Sequence, residues 1–139
     1  MKRWRQANRK EVNAYARAWK KENRDYGQLS GAYLRDERRN GRCDDRIDLA
    51  TWRKVRAAFA ERCCYCGAVD RLEMEHLTPI VRGGRPVLGN LAPACGDCNR
   101  QKMTMTVEEF RPGSALEIRR IARLETAPAA SPDAHVAAT

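Results

Sequence analysis

Cys63-Cys64-Tyr65-Cys66-Gly67 and Cys95-Gly96-Asp97-Cys98 are two C-x-x-C pairs with 28 residues between Cys66 and Cys95. A pair at this spacing lets two thiolates from one tight turn bind the same ion, and two pairs complete a tetrahedral Zn²⁺ site. With Cys63, Cys66, Cys95 and Cys98 filling every position, such a zinc is structural, because water and substrate have nowhere to bind. Its binding energy then adds to folding energy. That matters here: Leu, Ile, Val and Phe make up 22 of 139 residues, below the roughly 20% at which a strongly charged chain orders itself. Cys63 is read as the ligand rather than Cys64, since Cys64 would make a C-x-C, which fits a zinc knuckle less well. Cys64 and Cys43 are read as spare thiols. A redox C-x-x-C is the rival reading, but neither pair sits in a thioredoxin-like βαβ pattern.

Outward from the cysteines, the pattern from Leu72 to Val81 predicts a strand, with Gly83-Gly84-Arg85-Pro86 a turn before Val87 and Leu88 resume, together a β-hairpin. Residues 99–105 suit a helix. Residues 114–124 suit another, with Leu116, Ile118, Ile121 and Leu124 available for packing. Upstream, Asp48 is placed to cap a helix whose Leu49, Trp52, Val55 and Phe59 recur at helical spacing. Ser30 is read as the cap of a short helix ending near Asn40-Gly41. Residues 126–139 form a low-complexity tail that reads as disordered, and His135 within it as inert.

The net charge of +9 comes entirely from the N-terminal side of the cysteines. Residues 1–24 hold nine basic side chains against Glu11 and Glu22, a density suited to nucleic-acid phosphates, with an anionic membrane surface as the rival target. Placed on one helix over residues 4–26, Trp4, Asn8, Val12, Tyr15, Trp19 and Tyr26 form a stripe. Arg9, Arg17, Lys20 and Arg24 fall on the opposite side. The expectation is that the stripe packs and that these four basic residues face phosphates. The chain is the size of one ordinary domain. Its first residues lack an apolar signal core, and no apolar run approaches the ~20 residues of a membrane span. It is therefore read as cytoplasmic, with reduced thiols and no membrane partner.

Between the cysteine pairs lie Leu72-Glu73-Met74-Glu75-His76-Leu77-Thr78-Pro79-Ile80, then Arg82-Gly83-Gly84, then Asn90-Leu91-Ala92-Pro93, and after them Cys98-Asn99-Arg100-Gln101-Lys102. This ordered set, over about residues 63–105, resembles the HNH endonucleases, in which an acidic-His pair, a central Asn and a terminal His or Asn form a ββα-metal motif. The resemblance implies an α+β fold: a ββα-metal core with a Cys₄ zinc site, flanked by basic N-terminal helices and a C-terminal helix. The domain reading is a basic helical arm over 1–45, a nuclease domain with its zinc site over 46–112, a helix over 113–125 and the tail.

Hydrolysing a phosphodiester needs an activated water, neutralised phosphoryl oxygens and a stabilised leaving oxygen. His76, near pKa 6.5 when unperturbed, can take a proton from water near neutral pH. The resemblance assigns Glu75 and Asn99 to one catalytic divalent ion, Mg²⁺ or Mn²⁺, and gives Asn90 the task of holding the loop so that His76 is oriented. Usual members carry Asp or His where this chain has Glu75. Consecutive strand residues point to opposite faces, so Glu75 and His76 share a site only if the strand ends, twists or bulges there. Because Asn99 follows Cys98, fixing the cysteine on zinc fixes the helix presenting the asparagine. Arg100 and Lys102 extend the phosphate-contact candidates.

The function expected is metal-dependent DNA endonuclease activity by a monomer or homodimer, nicking or cutting both strands. The alternative is a noncatalytic zinc-stabilised DNA-binding module. Small proteins of this kind are often encoded by bacteriophages, which would place the chain in the host cytoplasm with a terminase or other packaging protein as a partner. A nuclease toxin gains no support from the sequence.

Overall fold

In the computed structural model, residues 2–125 are described, and the 126–139 tail with His135 lies outside them. The order is α1 (Lys2–Ala7), α2 (Arg9–Glu22), α3 (Arg24–Asn40), α4 (Leu49–Ala58), β1 (Leu72–His76), a 3₁₀ turn (Ile80–Arg82), β2 (Leu91–Cys95), α5 (Gly96–Lys102), α6 (Val107–Phe110) and α7 (Ala115–Ala122). β1 and β2 pair antiparallel with Leu72 opposite Cys95 and His76 opposite Leu91, and α5 starts directly after β2. This is the expected ββα order within an α+β fold. No helix among the described residues is long and apolar enough to cross a membrane.

The small sheet packs apolar side chains on both faces. Met74 and Leu91 join Leu29 and Ala32 of α3, Ile47, and Trp52 and Val55 of α4. Leu77 and Ala92 join Val107 of α6 and Ala115, Ile118 and Ala122 of α7. A third cluster centres on Cys63, Ala94, Cys95 and Cys98. The first cluster draws on residues from both sides of position 45, so α3 is built into the body, while α1 and α2 bury no residue. Asp48 caps α4 as its sequence suggests, its side chain accepting from the Thr51 amide at 2.8 Å.

Several elements differ from the expectation. The single helix over 4–26 is interrupted at Asn8 and Asn23, whose side-chain amides donate to the carbonyls of Trp4 and Trp19, each at 2.9 Å. Side-chain bonding back to the i−4 carbonyl competes with the helix ladder and bends it. The aromatic stripe is exposed rather than packed. α3 starts at Arg24, well before Ser30, and closes at Gly41 with φ 77°. β1 stops at His76, short of Val81. The second strand is Leu91–Cys95, with Val87 making only an isolated bridge to Arg46. α5 begins at Gly96 rather than Asn99 and ends at Lys102, and Leu116 is exposed.

What joins the strands is a folded loop rather than a tight hairpin turn. Buried Asn90 closes it: its Oδ1 accepts from the Thr78 amide at 2.8 Å, and its Nδ2 donates to the carbonyls of Thr78 at 3.1 Å and Arg85 at 2.9 Å. Gly84 lets the backbone cross itself here, since a Cβ at that position would lie 1.7 Å from the Thr78 carbonyl oxygen. Gly27, inside α3, has nothing within 4 Å of its Cβ position. Thermal or denaturant unfolding should therefore give opposite signs for two Gly→Ala changes. Gly84→Ala should destabilise by about 3 kcal/mol through overpacking against backbone, and Gly27→Ala should stabilise by roughly 0.5–1 kcal/mol through helix propensity.

Candidate active site and zinc centre

The four sulfurs of Cys63, Cys66, Cys95 and Cys98 lie within 4.8 Å of one another, with Cys66 and Cys95 Sγ 3.6 Å apart. Zn–S bonds of about 2.3 Å in a tetrahedron give S···S edges near ~3.8 Å, so the donor set and its geometry fit zinc. Two local turns build the site. The Cys63 amide donates to the Ala68 carbonyl at 2.8 Å, folding the first pair back, and Cys63 Sγ accepts from the Tyr65 amide at 3.4 Å. Cys95 caps α5, its Sγ accepting from the Cys98 amide at 3.4 Å. Burial would raise the Cys63 thiol, but the amides of Cys95, Cys66 and Tyr65 and the Cys66 thiol outweigh it and bring it down to about 7. Cys64 is not one of the four clustered sulfurs; it packs partly buried against their apolar surroundings, and burial pushes its thiol well up. Purified protein should carry one zinc per chain by metal analysis; Cys63→Ser should lose it and the folded state with it, whereas Cys64→Ser should keep both.

On the other side of α5, a cleft of about 270 Å³ is lined by Arg35, Met74, Glu75, His76, Asn99 and Lys102, among others. Glu75 and His76 meet in it because β1 ends at His76 and the chain then turns, the Leu77 amide bonding the Asn90 carbonyl at 2.8 Å. Lys102 ties the two together from α5. Its Nζ donates to Glu75 Oε1 at 2.7 Å and to the His76 carbonyl at 3.0 Å, and the lysine is 1% exposed. Expected as a surface contact to phosphate, Lys102 is instead a buried cation, held there because the neighbouring buried carboxylate needs a counter-charge.

Two buried polar atoms at this point have no hydrogen-bond partner among the described residues: Glu75 Oε2 and His76 Nε2. Leaving such atoms unpaired costs about 1–3 kcal/mol each, and each calls for an explanation such as a water, an ion or a catalytic role; Trp52 Nε1 and Tyr65 Oη are unpaired in the same way elsewhere. Burial pushes the Glu75 carboxyl up against the opposing pull of Lys102. Burial, with the charges of Arg35 and Lys102 and against that of Asp36, brings His76 down to about 4. At neutral pH His76 is thus an uncharged imidazole with an open nitrogen. Asn99 donates its amide nitrogen to Glu73 Oε2 at 2.9 Å, which leaves its side-chain oxygen as a donor for a cation.

Three residues of the cleft and its surroundings are not legible in the sequence. Glu73, two before Glu75 on the same strand face, orients Asn99. Lys102 reads there as surface charge. Arg35 comes from α3, forty residues upstream of the motif, and no local pattern links it to His76. It is exposed and makes no ion pair among the described residues, whereas its neighbour Asp36 is held by Arg85 at 3.1 Å. Of the other expected contacts, Arg9, Arg17, Lys20 and Arg24 are exposed on the arm and at the start of α3, and exposed Arg100 pairs with Asp97. Asn90 sits away from the cleft lining, at the base of the loop.

Residues 63–104 match the family model of the HNH endonucleases, and this segment holds all four clustered cysteines together with Glu75, His76, Asn90, Asn99 and Lys102. No curated protein sequence matches the chain. The match points to a nuclease or DNA-binding role and to interaction with nucleic acid.

The sign of the His76 shift gives a stability test. Its folded pKa lies below the usual 6.5, so the unfolded chain binds the proton more readily and folding weakens as pH falls from 6.5 towards 4. A shift to about 4 amounts to on the order of 3 kcal/mol at the acid end. His76→Gln should lose less stability than wild type over that window in denaturant titrations at stepped pH. Parallel curves for the two proteins would contradict the buried neutral imidazole.

Proposed function

We propose that this protein is a metal-dependent endonuclease that hydrolyses DNA phosphodiester bonds. The observation that carries this reading is the pair of buried atoms, Glu75 Oε2 and His76 Nε2, left without partners among the described residues and lining one cleft. His76 is the general base, taking a proton from the attacking water at Nε2. Glu75 Oε2 and the Asn99 side-chain oxygen are hard donors that suit Mg²⁺ or Mn²⁺. When bound, such an ion neutralises phosphoryl oxygens and stabilises the leaving 3′ oxygen. Asn90 closes the loop that follows His76, and Lys102 fixes both the Glu75 carboxylate and the His76 backbone. Arg35, an exposed guanidinium at the cleft, is placed to bind a phosphate oxygen of the substrate. The zinc is separate from this chemistry and has no open position. The exposed basic residues of α2 extend the contact with the DNA backbone.

One observation favours the alternative, a noncatalytic zinc-stabilised DNA-binding module. The Lys102 ammonium already occupies Glu75 Oε1, so a cation in the cleft has only the second oxygen. A phage packaging protein such as a terminase is the partner suggested by the sequence resemblance, and the host cytoplasm is the corresponding location.

Supercoiled plasmid incubated with zinc-loaded protein in EDTA, Mg²⁺ or Mn²⁺ separates the two readings. The nuclease reading expects metal-dependent nicking, reduced by about 10²–10⁴-fold in His76→Ala with zinc content unchanged. It also expects a smaller loss, on the order of 10–100-fold, in Arg35→Ala. Binding without nicking in either metal supports the module.

A further inference from the structure

Glu73 and Glu75 are two apart on β1 and share a face of the strand, while Asn99 and Lys102 are three apart on α5 and share a face of the helix. The two faces meet in two rungs. Asn99 Nδ2 donates to Glu73 Oε2 at 2.9 Å, and Lys102 Nζ donates to Glu75 Oε1 at 2.7 Å. The second rung differs from the first in charge and in depth: both of its members are buried, and the ammonium also donates to the His76 carbonyl at 3.0 Å. Glu75 keeps one oxygen, Oε2, that has no partner among the described residues.

The charges around that oxygen decide what can come to it. The cleft lining sets Arg35 and Lys102 against the single carboxylate of Glu75, an excess of one positive charge, and a proton on His76 would only add to it. Beyond the lining, Glu73 behind Asn99 brings the sum to zero, and Asp36 is cancelled by Arg85 at 3.1 Å. A divalent cation entering the cleft alone therefore meets no net negative charge. It finds one carboxylate oxygen and the Asn99 side-chain oxygen, with an ammonium fixed on the other oxygen of the same carboxylate. Repulsion between like charges is weakly screened in such buried surroundings. A phosphodiester changes this balance, because its negative charge offsets the exposed Arg35 guanidinium and its oxygens supply ligands that the protein lacks. Small hard cations are commonly held in this way, by one or two carboxylates together with a substrate phosphate.

We propose that the Lys102 ammonium makes the cation site of the cleft dependent on substrate, so that Glu75 and Asn99 hold a divalent cation only when a nucleic-acid phosphate is bound beside Arg35. The proposal rests on the nuclease reading, which gives those two oxygens to a cation. Lys102 is a positioning residue in this scheme, acting through the Glu75 carboxylate. By linkage, the duplex tightens cation binding by the same factor as the cation tightens duplex binding.

Two titrations of the full zinc-loaded chain test it. Mn²⁺ binding to the free protein is read from the electron paramagnetic resonance of unbound Mn²⁺. Duplex binding is read, with and without Mn²⁺ at matched ionic strength, from the fluorescence anisotropy of a short labelled duplex whose phosphorothioate linkages resist hydrolysis. Wild type alone should bind Mn²⁺ no more tightly than the millimolar range, and Mn²⁺ should tighten its duplex binding by roughly 10-fold or more. Lys102→Met should bind Mn²⁺ without DNA roughly 10-fold more tightly than wild type, with a rise in unfolding midpoint that wild type lacks. Its duplex binding should respond less to Mn²⁺. Lys102→Met with Glu75→Gln removes both charges at similar volume and should show neither gain. Duplex affinity unmoved by Mn²⁺ in wild type overturns the proposal whether or not Lys102→Met folds, and plasmid nicking by the same preparation tells whether the nuclease reading falls with it. A folded Lys102→Met protein that binds Mn²⁺ no better than wild type also overturns it, since the coupling then does not come from the ammonium.

Discussion

Four sulfur atoms meet where the turn before β1, the end of β2 and the first turn of α5 come together. The turn at Cys63 to Gly67 leads into β1, Cys95 ends β2, and Cys98 sits in the first turn of α5. Without a metal, four thiols packed within 4.8 Å make only weak mutual hydrogen bonds. With one, they would become a rigid corner beside a small apolar cluster of Cys63, Ala94, Cys95 and Cys98. α5 has only seven residues, too short to be stable as an isolated helix. Its angle against β1 is therefore set by the corner from which it starts, and Asn99 and Lys102 lie one to four residues beyond Cys98.

The buried group that follows from this placement is unusual in charge. A lysine 1% exposed and a glutamate 3% exposed are stable together only because each neutralises the other and Lys102 finds a second acceptor in the His76 carbonyl. The arrangement fixes Glu75 with one oxygen committed and one free, and ties the end of β1 to α5 through the His76 carbonyl. His76 Nε2 is likewise without a partner among the described residues, and burial is the main reason its imidazole stays uncharged at neutral pH. The cleft thus brings together an unpaired imidazole nitrogen, a carboxylate with one oxygen committed and one free, and an exposed arginine.

The four-cysteine cluster was legible in the sequence because ligand spacing is a local property: C-x-x-C closes within one turn, and the choice of Cys63 over Cys64 followed from the same spacing. The ββα order and the cap at Asp48 were legible for similar reasons. Strand limits were not, because Asn90 reaches back to Thr78 and takes up the backbone groups that a longer strand would have paired. Lys102 reads as surface charge because nothing local announces a buried carboxylate 27 positions earlier. Arg35 is invisible for the same reason, since its relation to His76 exists only through the packing of α3 on the sheet. The arm misleads in the opposite sense: periodicity states that Trp4, Tyr15 and Trp19 share a face, but not whether anything in the fold covers it.

Hydrogen exchange of the backbone amides, measured on the zinc-loaded chain and again after the metal is removed by a chelator, tests most directly whether the sulfur corner organises the cleft. If it does, removal brings Gly96–Lys102 and Leu72–His76 to exchange at nearly the rate of an unfolded chain, while α3 and α4 lose less protection. If β1 and α5 keep their protection without zinc, packing alone holds the cleft, and the four cysteines are not what positions Glu75, His76 and Asn99.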